Sequence, residues 1–447
     1  MKKYLSFLLI ALMCILAFWQ VAFLTQTLKW DILDGYLPGH YFISECLRNN
    51  IFPLWNPYQQ LGFPIYADLI NTNYPVNMLI ARLLPYTNIT FHVLFIVYLV
   101  IAGWGAYKLS LQLGVLDKVA VLAGIAYSLS GFFTGNAQHM QFITGAAWLP
   151  YAILFFIKLS TEGKFKNLLS FVIFTYLLIT GGYPPTAIML AYLLAMLYAL
   201  FIVKYLKNKK FVTILLYSLK CLIAATLLLV LCAGMLISIK QSAPYVNRFG
   251  GLTYETAIIN PFTPRSLISV ISPLTPAVYS GLFKTDLSMN NLYFGTFMIM
   301  LIIYALFRKH NFKSILLLIS GVFTLFISFG EYSIVHKFLF NYFPLFDKFK
   351  HPGNLRVFSI LFFLLYAAIQ VSNNDPLQNS NFVVFRKAYY VFISFILTLF
   401  LGSASVILYK AAGPVDFHPT IKSLLTDYGI AGPLCIQTAI ILFVNIF

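Results

Sequence analysis

Residues 30–75 read WDILDGYLPGHYFISECLRNNIFPLWNPYQQLGFPIYADLINTNYP, a polar and aromatic segment between long apolar runs. Four of the chain's 13 acidic residues lie in this segment, namely Asp31, Asp34, Glu45 and Asp68. Carboxylates close to a membrane are costly to desolvate and commonly mark functional sites. The concentration of acidic residues therefore predicts that this segment carries a site.

The chain as a whole has the composition of a polytopic membrane protein. Hydrophobic residues make up 60% of the 447 residues, charged residues make up 10%, and the mean hydropathy is +0.83. These values lie outside the range of ordinary soluble domains. The first apolar run, residues 5–24, is long enough to cross the hydrocarbon core and has no small-residue cleavage site. It is therefore predicted to be a retained membrane helix.

About twelve apolar runs of spanning length predict an all-α membrane protein made of a single integral membrane domain, residues 1–447. The chain stops inside the last run without a basic flank, which is compatible with a longer parent protein. The predicted helices are residues 5–24, 88–107, 119–133, 142–157, 167–180, 186–203, 212–238, 291–307, 314–329, 356–370, 388–409 and 430–447.

Positive charges predict the orientation of the chain. The net charge is +17, but the cations form short clusters between apolar runs and not one basic face, so no nucleic-acid partner is expected. With a cytoplasmic amino terminus, every inside turn is short and basic, as the positive-inside rule requires. The longer outward loops then cover residues 26–87, 241–290, 330–355 and 410–429. The first of these is the predicted catalytic loop.

Asp31 and Asp34 lie three positions apart, just beyond the first apolar run. On a continuing α-helical turn this spacing places both carboxylates on one face. The pair predicts a general base, alone or beside a divalent cation that Asp68 helps to hold. The alternative is that both carboxylates only solvate a helix end.

The proline-rich and aromatic run at residues 52–58 predicts a rigid loop whose rings anchor at the membrane interface. Trp55 and Tyr58 are also candidates for stacking on a sugar ring. The two roles remain alternatives at this stage.

Two predicted helices, residues 119–133 and 167–180, are short for a span and end in glycine-rich polar sequence. Interrupted helices of this kind usually border a cavity. Gln138 and His139 follow the first helix and Tyr183 follows the second, which makes them candidate substrate-binding residues. The alternatives are a structural histidine at the interface and a tight turn at Tyr183.

Lys350, His351 and Arg356 are cations on the predicted outer side, where the positive-inside rule disfavours them. They predict a clamp for a phosphate group, because Lys and Arg pair strongly with phosphoryl oxygens. The alternative is attraction to anionic lipid head groups. No Walker A sequence or dinucleotide-binding motif is present, so an activated substrate must come from elsewhere.

Several of these residues resemble the signatures of bacterial YfhO-type membrane proteins. The resemblance spans most of the chain, is fairly specific in the first outward loop and is looser after Lys240. The matching motifs are Asp34-Gly-Tyr-Leu-Pro38, Glu45-Cys-Leu47, Phe52-Pro-Leu-Trp-Asn-Pro-Tyr58, Gly62-Phe-Pro64 with Asp68, Gly135-Asn-Ala-Gln-His139 with Ala147-Trp-Leu-Pro150, Gly182-Tyr-Pro184, and His351-Pro352 with Arg356.

This resemblance implies an integral membrane glycosyltransferase of the GT-C class. It implies a polyprenyl-phosphate-sugar donor and transfer outside the bacterial cytoplasmic membrane to a glycopolymer, glycolipid or protein of the cell envelope. Asp34 would be the catalytic carboxylate, with Asp31 and Asp68 as neighbours. No metal is established, and membrane lipids are the remaining expected partners. The alternative is a transporter or flippase for a lipid-linked sugar, although no convincing internal repeat supports it.

Overall fold

The computed structural model describes residues 2–59, 61–67, 74–245, 250–411 and 420–446, which are mostly α-helical. Strand pairing in these residues is limited to Trp55–Asn56 (β1) and Phe63–Pro64 (β2), which are antiparallel. The helices of the first half are α1 Lys2–Ala17, α2 Trp19–Ala22, α3 Leu37–Arg48, α4 Pro75–Leu83, α5 Asn88–Gln112, α6 Asp117–Ser128, α7 Gly131–Gly135, α8 Met140–Glu162, α9 Phe165–Gly181, α10 Pro184–Lys207, α11 Phe211–Leu231 and α12 Ala233–Ser242. Those of the second half are α13 Tyr254–Ala257, α14 Leu274–Val278, α15 Thr296–Leu306, α16 Phe312–Ser328, α17 Ile334–Tyr342, α18 Arg356–Asn373, α19 Asn379–Ala411, α20 Ile421–Thr426 and α21 Ala431–Ile446.

The predicted helical class is confirmed, and the long apolar helices are those expected of a multi-pass membrane protein. Seven helical segments among the described residues are long and apolar enough to cross a membrane, and five shorter apolar helices cover the other predicted runs. The count of twelve spans and the GT-C arrangement stay predictions. The seven long segments are Asn88–Gln112, Asp117–Gly135, Met140–Glu162, Pro184–Lys207, Phe211–Leu231, Pro352–Asn373 and Ser380–Lys410.

The predicted helix at residues 119–133 is broken into α6 and α7. The backbone N–H of Gly131 leaves the helical ladder and donates to the carbonyl of Tyr293 at 2.6 Å. A Cβ atom at Gly131 would lie 2.0 Å from Oδ1 of Asn291, so this close approach requires glycine. The break therefore follows from packing of the turn against residues 291–293.

The chain divides into two compact units, each built from separate stretches of sequence. Unit 1 comprises Met1–Gln112, Asn136–Thr253 and Pro344–Phe349. Unit 2 comprises Leu113–Gly135, Tyr254–Phe343 and Lys350–Phe447. The predicted catalytic loop, residues 26–87, belongs entirely to unit 1, whereas the predicted loops 241–290 and 330–355 are each divided between the units.

Helix α8 is the core of unit 1, where it packs against α5 and α9. Its most apolar window is 72% buried. Buried Phe156, Phe171 and Tyr217 form a cluster between α8, α9 and α11. Because lipid is as apolar as these side chains, close van der Waals packing holds the helices together in a membrane.

Helix α18 has the corresponding position in unit 2, with 89% of its window buried. It packs against α15 and α16. Two polar contacts join it to α16: Thr324 Oγ1 lies 2.9 Å from Ser359 Oγ, and Gln370 Nε2 donates to Ser314 Oγ at 3.1 Å. Such interhelical hydrogen bonds set the register of apolar helices in a bilayer.

Candidate functional site

Asp31 and Asp34, two of the three predicted carboxylates, lie on a distorted backbone turn that leads into α3. Trp30 has a φ of 59°, in the left-handed region that bulky residues rarely adopt. Residues Ile32–Tyr36 then form a π-helical turn, a local distortion that occurs frequently at functional sites. The N–H groups of Leu33 and Asp34 both donate to the Trp30 carbonyl, at 2.8 and 3.0 Å. The turn is thus held in place by its own backbone.

Asp31 pairs with His139, which comes from a distant part of the sequence. Oδ2 of Asp31 lies 3.1 Å from Nδ1 of His139, and the side chains are 57% and 17% exposed. His139 precedes the first residue of α8, and its N–H donates to the Asn136 carbonyl at 2.8 Å. Its ring packs on Phe142 at 4.8 Å. The structure therefore brings together two predicted site residues. The imidazole of His139 is held between the Asp31 carboxylate and the Phe142 ring.

Asp34 differs from Asp31 in its surroundings. It is exposed within the π-helical turn. A π-helical turn takes more residues than an α-helical turn, so a spacing of three does not align the carboxylates as an α-helix would. Because its side chain is exposed, Asp34, the predicted base, is accessible to an incoming substrate.

Gln138 precedes His139 in the sequence, and its side chain is partly exposed.

Asp68, the third predicted carboxylate, lies outside the described residues. Among the residues that are described, no three His, Cys, Asp or Glu side chains gather into a possible metal site. The divalent cation stays a prediction.

Tyr183 is buried where α9 meets α10. Its ring packs on Phe142 at 4.8 Å and on Phe349 at 6.3 Å. The preceding Gly182 lies so close to α8 that an added Cβ would be 3.0 Å from Cα of Gly145. Tyr183 therefore supports the ring beneath His139, and its segment is a close-packed corner.

A buried chain of hydrogen bonds around His40 was not predicted from the sequence. Tyr86 Oη donates to Asn77 Oδ1 at 3.1 Å, Asn77 Nδ2 lies 3.0 Å from His40 Nε2, and His40 Nδ1 lies 2.9 Å from the Tyr36 carbonyl. Burial lowers the pKa of His40 to about 4, so the ring is neutral. The available signal was its position four residues after Tyr36, on the same helical face.

Trp55 and Tyr58 lie on the small hairpin formed by β1 and β2. Their rings are 55% and 84% exposed. Trp55 covers Gly62, where an added Cβ would lie 2.4 Å from the indole ring, and Tyr58 packs edge-on against Phe42 at 5.9 Å. Anchoring at the interface and stacking on a sugar both require exposed rings of this kind.

Arg356, predicted to bind phosphate, is fully buried in unit 2 and binds backbone carbonyls there. Nε donates to Asn291 at 2.8 Å, Nη1 to Gly353 at 2.7 Å and Nη2 to Ser288 at 2.5 Å. The guanidinium also lies over the ring of Phe132, at 5.1 Å. Arg356 therefore braces the backbone of unit 2. The sequence had predicted that its guanidinium would bind the phosphate group of a ligand.

Next to this brace, the segment from Lys350 to Asn354 is polar and strained. His351 and Asn260 both have positive φ, 65° and 59°, and Asn260 Nδ2 lies 3.2 Å from His351 Nδ1. Strained residues cluster at binding sites. Asn354 is fully buried, and neither polar atom of its amide has a hydrogen-bond partner. Leaving such a group unpaired costs on the order of 1–3 kcal/mol, which indicates that a water molecule or a bound group pairs with this amide. The sequence did not predict a role for Asn354, because a single Asn after His-Pro-Gly does not reveal that its side chain is buried.

The predicted catalytic carboxylates belong to unit 1, whereas Lys350, His351 and Arg356 belong to unit 2. Comparison with protein-family models, with curated proteins and with solved structures finds no match to this chain. The resemblance to YfhO-type proteins therefore stays a prediction, and function rests on the residues themselves.

Proposed function

We propose that this protein is a GT-C-type membrane glycosyltransferase. It would move a sugar from a polyprenyl-phosphate carrier to a hydroxyl group of a cell-envelope acceptor, on the outer side of a bacterial cytoplasmic membrane. The observation that carries the proposal is the 3.1 Å contact between Asp31 and His139 next to the exposed Asp34, on a distorted turn. Strained backbone with accessible acid and imidazole groups is typical of catalytic sites.

The chemistry requires few groups, because a lipid phosphate is already a leaving group. Asp34 takes the proton from the acceptor hydroxyl. The hydroxyl oxygen forms a bond to the anomeric carbon while the bond from that carbon to the phosphate oxygen breaks. Polyprenyl phosphate leaves with the electron pair, and Asp34 returns its proton to water. A single displacement through a transition state of oxocarbenium character inverts the configuration.

Asp31 and His139 have a positioning role in this proposal. The carboxylate binds Nδ1 and so sets the orientation of the ring, as an acid partner does for catalytic histidines generally. Phe142 packs against the imidazole ring, and Tyr183 packs against Phe142. His139 would then bind the donor through Nε2, with Gln138 as its neighbour.

The polar segment of unit 2 supports an anion site in its own right. Lys350 and His351 supply charge and hydrogen-bond donors, and the buried amide of Asn354 lacks partners. We assign to this segment the binding of a lipid-linked phosphate, which pairs well with such donors. Arg356 contributes by fixing the backbone at Gly353.

Location in a membrane is supported by the lipid-like surfaces of the outer helices. The most apolar windows of α11 and α19 are only 11% and 22% buried. Apolar helices with so little protein cover are stable in lipid and costly in water. Membrane lipids are therefore direct partners in the proposal.

The test uses the purified full chain with a panel of polyprenyl-phosphate sugars and a cell-envelope extract as acceptor. Release of polyprenyl phosphate is measured in detergent, and movement of labelled lipid-linked sugar is measured in liposomes. Release that depends on the extract supports the transferase. Lipid movement without release would replace it with a flippase.

A further inference from the structure

Unit 1 contains a small cavity between α3, α4, α5, α8 and the end of α9. It has room for about one water-sized molecule. Every residue that lines it belongs to unit 1. Its polar lining consists of Tyr36, His40, Asn77, Tyr98, Gln141 and Thr144.

One polar atom in this lining lacks a partner. Oε1 of Gln141 is buried and accepts no hydrogen bond from the described residues. Gln141 lies two residues after His139, on the first turn of α8. Buried polar atoms are almost always paired with protein, water or a ligand. The cavity therefore lacks a hydrogen-bond donor that a small molecule or group can supply.

The remaining lining polar groups are uncharged and largely occupied. His40 is neutral, and its two ring nitrogens contact the Tyr36 carbonyl and Asn77. Tyr98 Oη lies 2.8 Å from Tyr74 Oη, which accepts from Trp148 Nε1 at 3.0 Å. A charged group placed here would find no counter-ion among the lining residues and would be costly to bury. The cavity suits a neutral group that carries an O–H donor.

We propose that this cavity is a hydroxyl-binding subsite, in which Gln141 accepts a hydrogen bond from one hydroxyl of an uncharged sugar on the donor lipid. The inference rests on the proposed function, because it assigns the substrate class of that site. A water molecule carries the same O–H chemistry. The experiment must therefore separate a sugar hydroxyl from a resident water.

The probes are farnesyl phosphate, a phosphomonoester, and farnesyl-phosphate-glucose, the diester that carries the sugar. Because the two also differ in phosphate charge, the decisive readout is the change of their affinity ratio on mutation of Gln141. Their dissociation constants are measured with the full-length protein in detergent. In the parent, the sugar strengthens binding about tenfold, the scale of one well-placed buried hydrogen bond. Gln141→Met keeps the length of the side chain and removes the acceptor, so the tenfold advantage disappears while affinity for farnesyl phosphate is unchanged.

Gln112→Met is the matched control, because Gln112 ends α5, about 20 Å along the helix from Tyr98, the cavity-lining residue of α5 that is nearest to it in sequence. It keeps the parent's preference. Gln141→Asn shortens the side chain and moves the amide oxygen away from the cavity while the residue stays polar. It replaces Gln141→Met if that variant folds poorly, and it also loses the tenfold preference for the sugar-bearing probe. A sugar preference that persists in both Gln141 variants, or no preference in the parent, overturns the subsite and leaves a resident water only. Loss of the preference on mutation, in a parent that releases no polyprenyl phosphate in the transfer assay, would support the subsite and refute the transferase.

Discussion

Oδ2 of Asp31, in the first polar segment, lies 3.1 Å from Nδ1 of His139 at the start of α8. The contact joins an exposed turn to the most buried helix of unit 1. The exposed Asp34 lies on a turn whose first residues are fixed twice, by the hydrogen bonds to the Trp30 carbonyl and by this pair. Any role of the first polar segment in catalysis depends on this attachment.

Asp31 and His139 are expected to act as one unit. Asp31→Asn and His139→Gln each lower the rate of sugar transfer about 100-fold, and the double variant is no slower than the slower single variant, because the first change frees the ring and the second removes it. The measurement is kcat for polyprenyl phosphate release in all four proteins. Additive losses, with the double variant about 10,000-fold down, would show that the two residues act independently.

His40 makes the stability of unit 1 sensitive to acid. Its pKa is about 4 in the fold and 6.5 when unfolded, so between these values only the unfolded chain binds the proton. Stability is therefore full above pH 6.5 and falls as the pH falls toward 4, by about 3 kcal/mol in total. The thermal midpoint of the parent in detergent should drop between pH 7 and pH 5, and His40→Gln should flatten part of the drop.

His336 in unit 2 titrates in the same window, since burial lowers its pKa to about 4. His336→Gln should therefore remove a separate part of the acid sensitivity. A pH profile that is identical in the parent and in both single variants would contradict the buried neutral state of these rings.

Gly182 is expected to tolerate no side chain. A Cβ there would lie 2.4 Å from the Leu178 carbonyl and 3.0 Å from Gly145 Cα, so Gly182→Ala forces α9 away from α8 and destabilises by about 1–3 kcal/mol. Gly234→Ala is the control, because nothing lies within 4 Å of a Cβ at that position in α12. Thermal unfolding should show a lower midpoint for the first variant and an equal or higher one for the second.

Arg356 and Lys350 should separate by phenotype. Arg356→Lys leaves carbonyls of Ser288, Asn291 and Gly353 without their fork of donors and is expected to cost about 3 kcal/mol or more of stability. Lys350→Gln should lower the thermal midpoint far less than Arg356→Lys and weaken binding of farnesyl phosphate about fivefold. The reverse pattern would restore Arg356 as the phosphate ligand and make Lys350 structural.

The class of fold follows from the sequence because apolar runs long enough to span a bilayer leave few alternatives to helices. The run predicted at residues 186–203 is helix α10, Pro184–Lys207. The division into two units was not predicted, since residues 113–135 and 344–349 belong to different units from the sequence on either side of them. Such exchanges depend on packing between helices and leave no periodic pattern.

Parts of the candidate site were also predictable. Asp31 and His139 were each predicted because they are polar residues that follow an apolar run. Their contact was not predicted, because it depends on how α8 packs in unit 1. Gln141 and Asn354 were missed because one amide among apolar residues looks like any other until its burial is known. Arg356 was predicted to bind a phosphate because it lies near other cations in the sequence. Only the fold shows that backbone carbonyls accept the hydrogen bonds of its guanidinium.

The most direct test of the proposed function compares Asp34→Asn with Glu45→Gln at equal folded yield. Glu45 is a matched control, because it is an acid of the same segment that pairs with surface Arg48 at 3.3 Å, a contact that contributes little. The account predicts that polyprenyl phosphate release falls about 1,000-fold in Asp34→Asn, while donor binding is retained, and is unchanged in Glu45→Gln. Release at the parent's rate in Asp34→Asn would contradict the account.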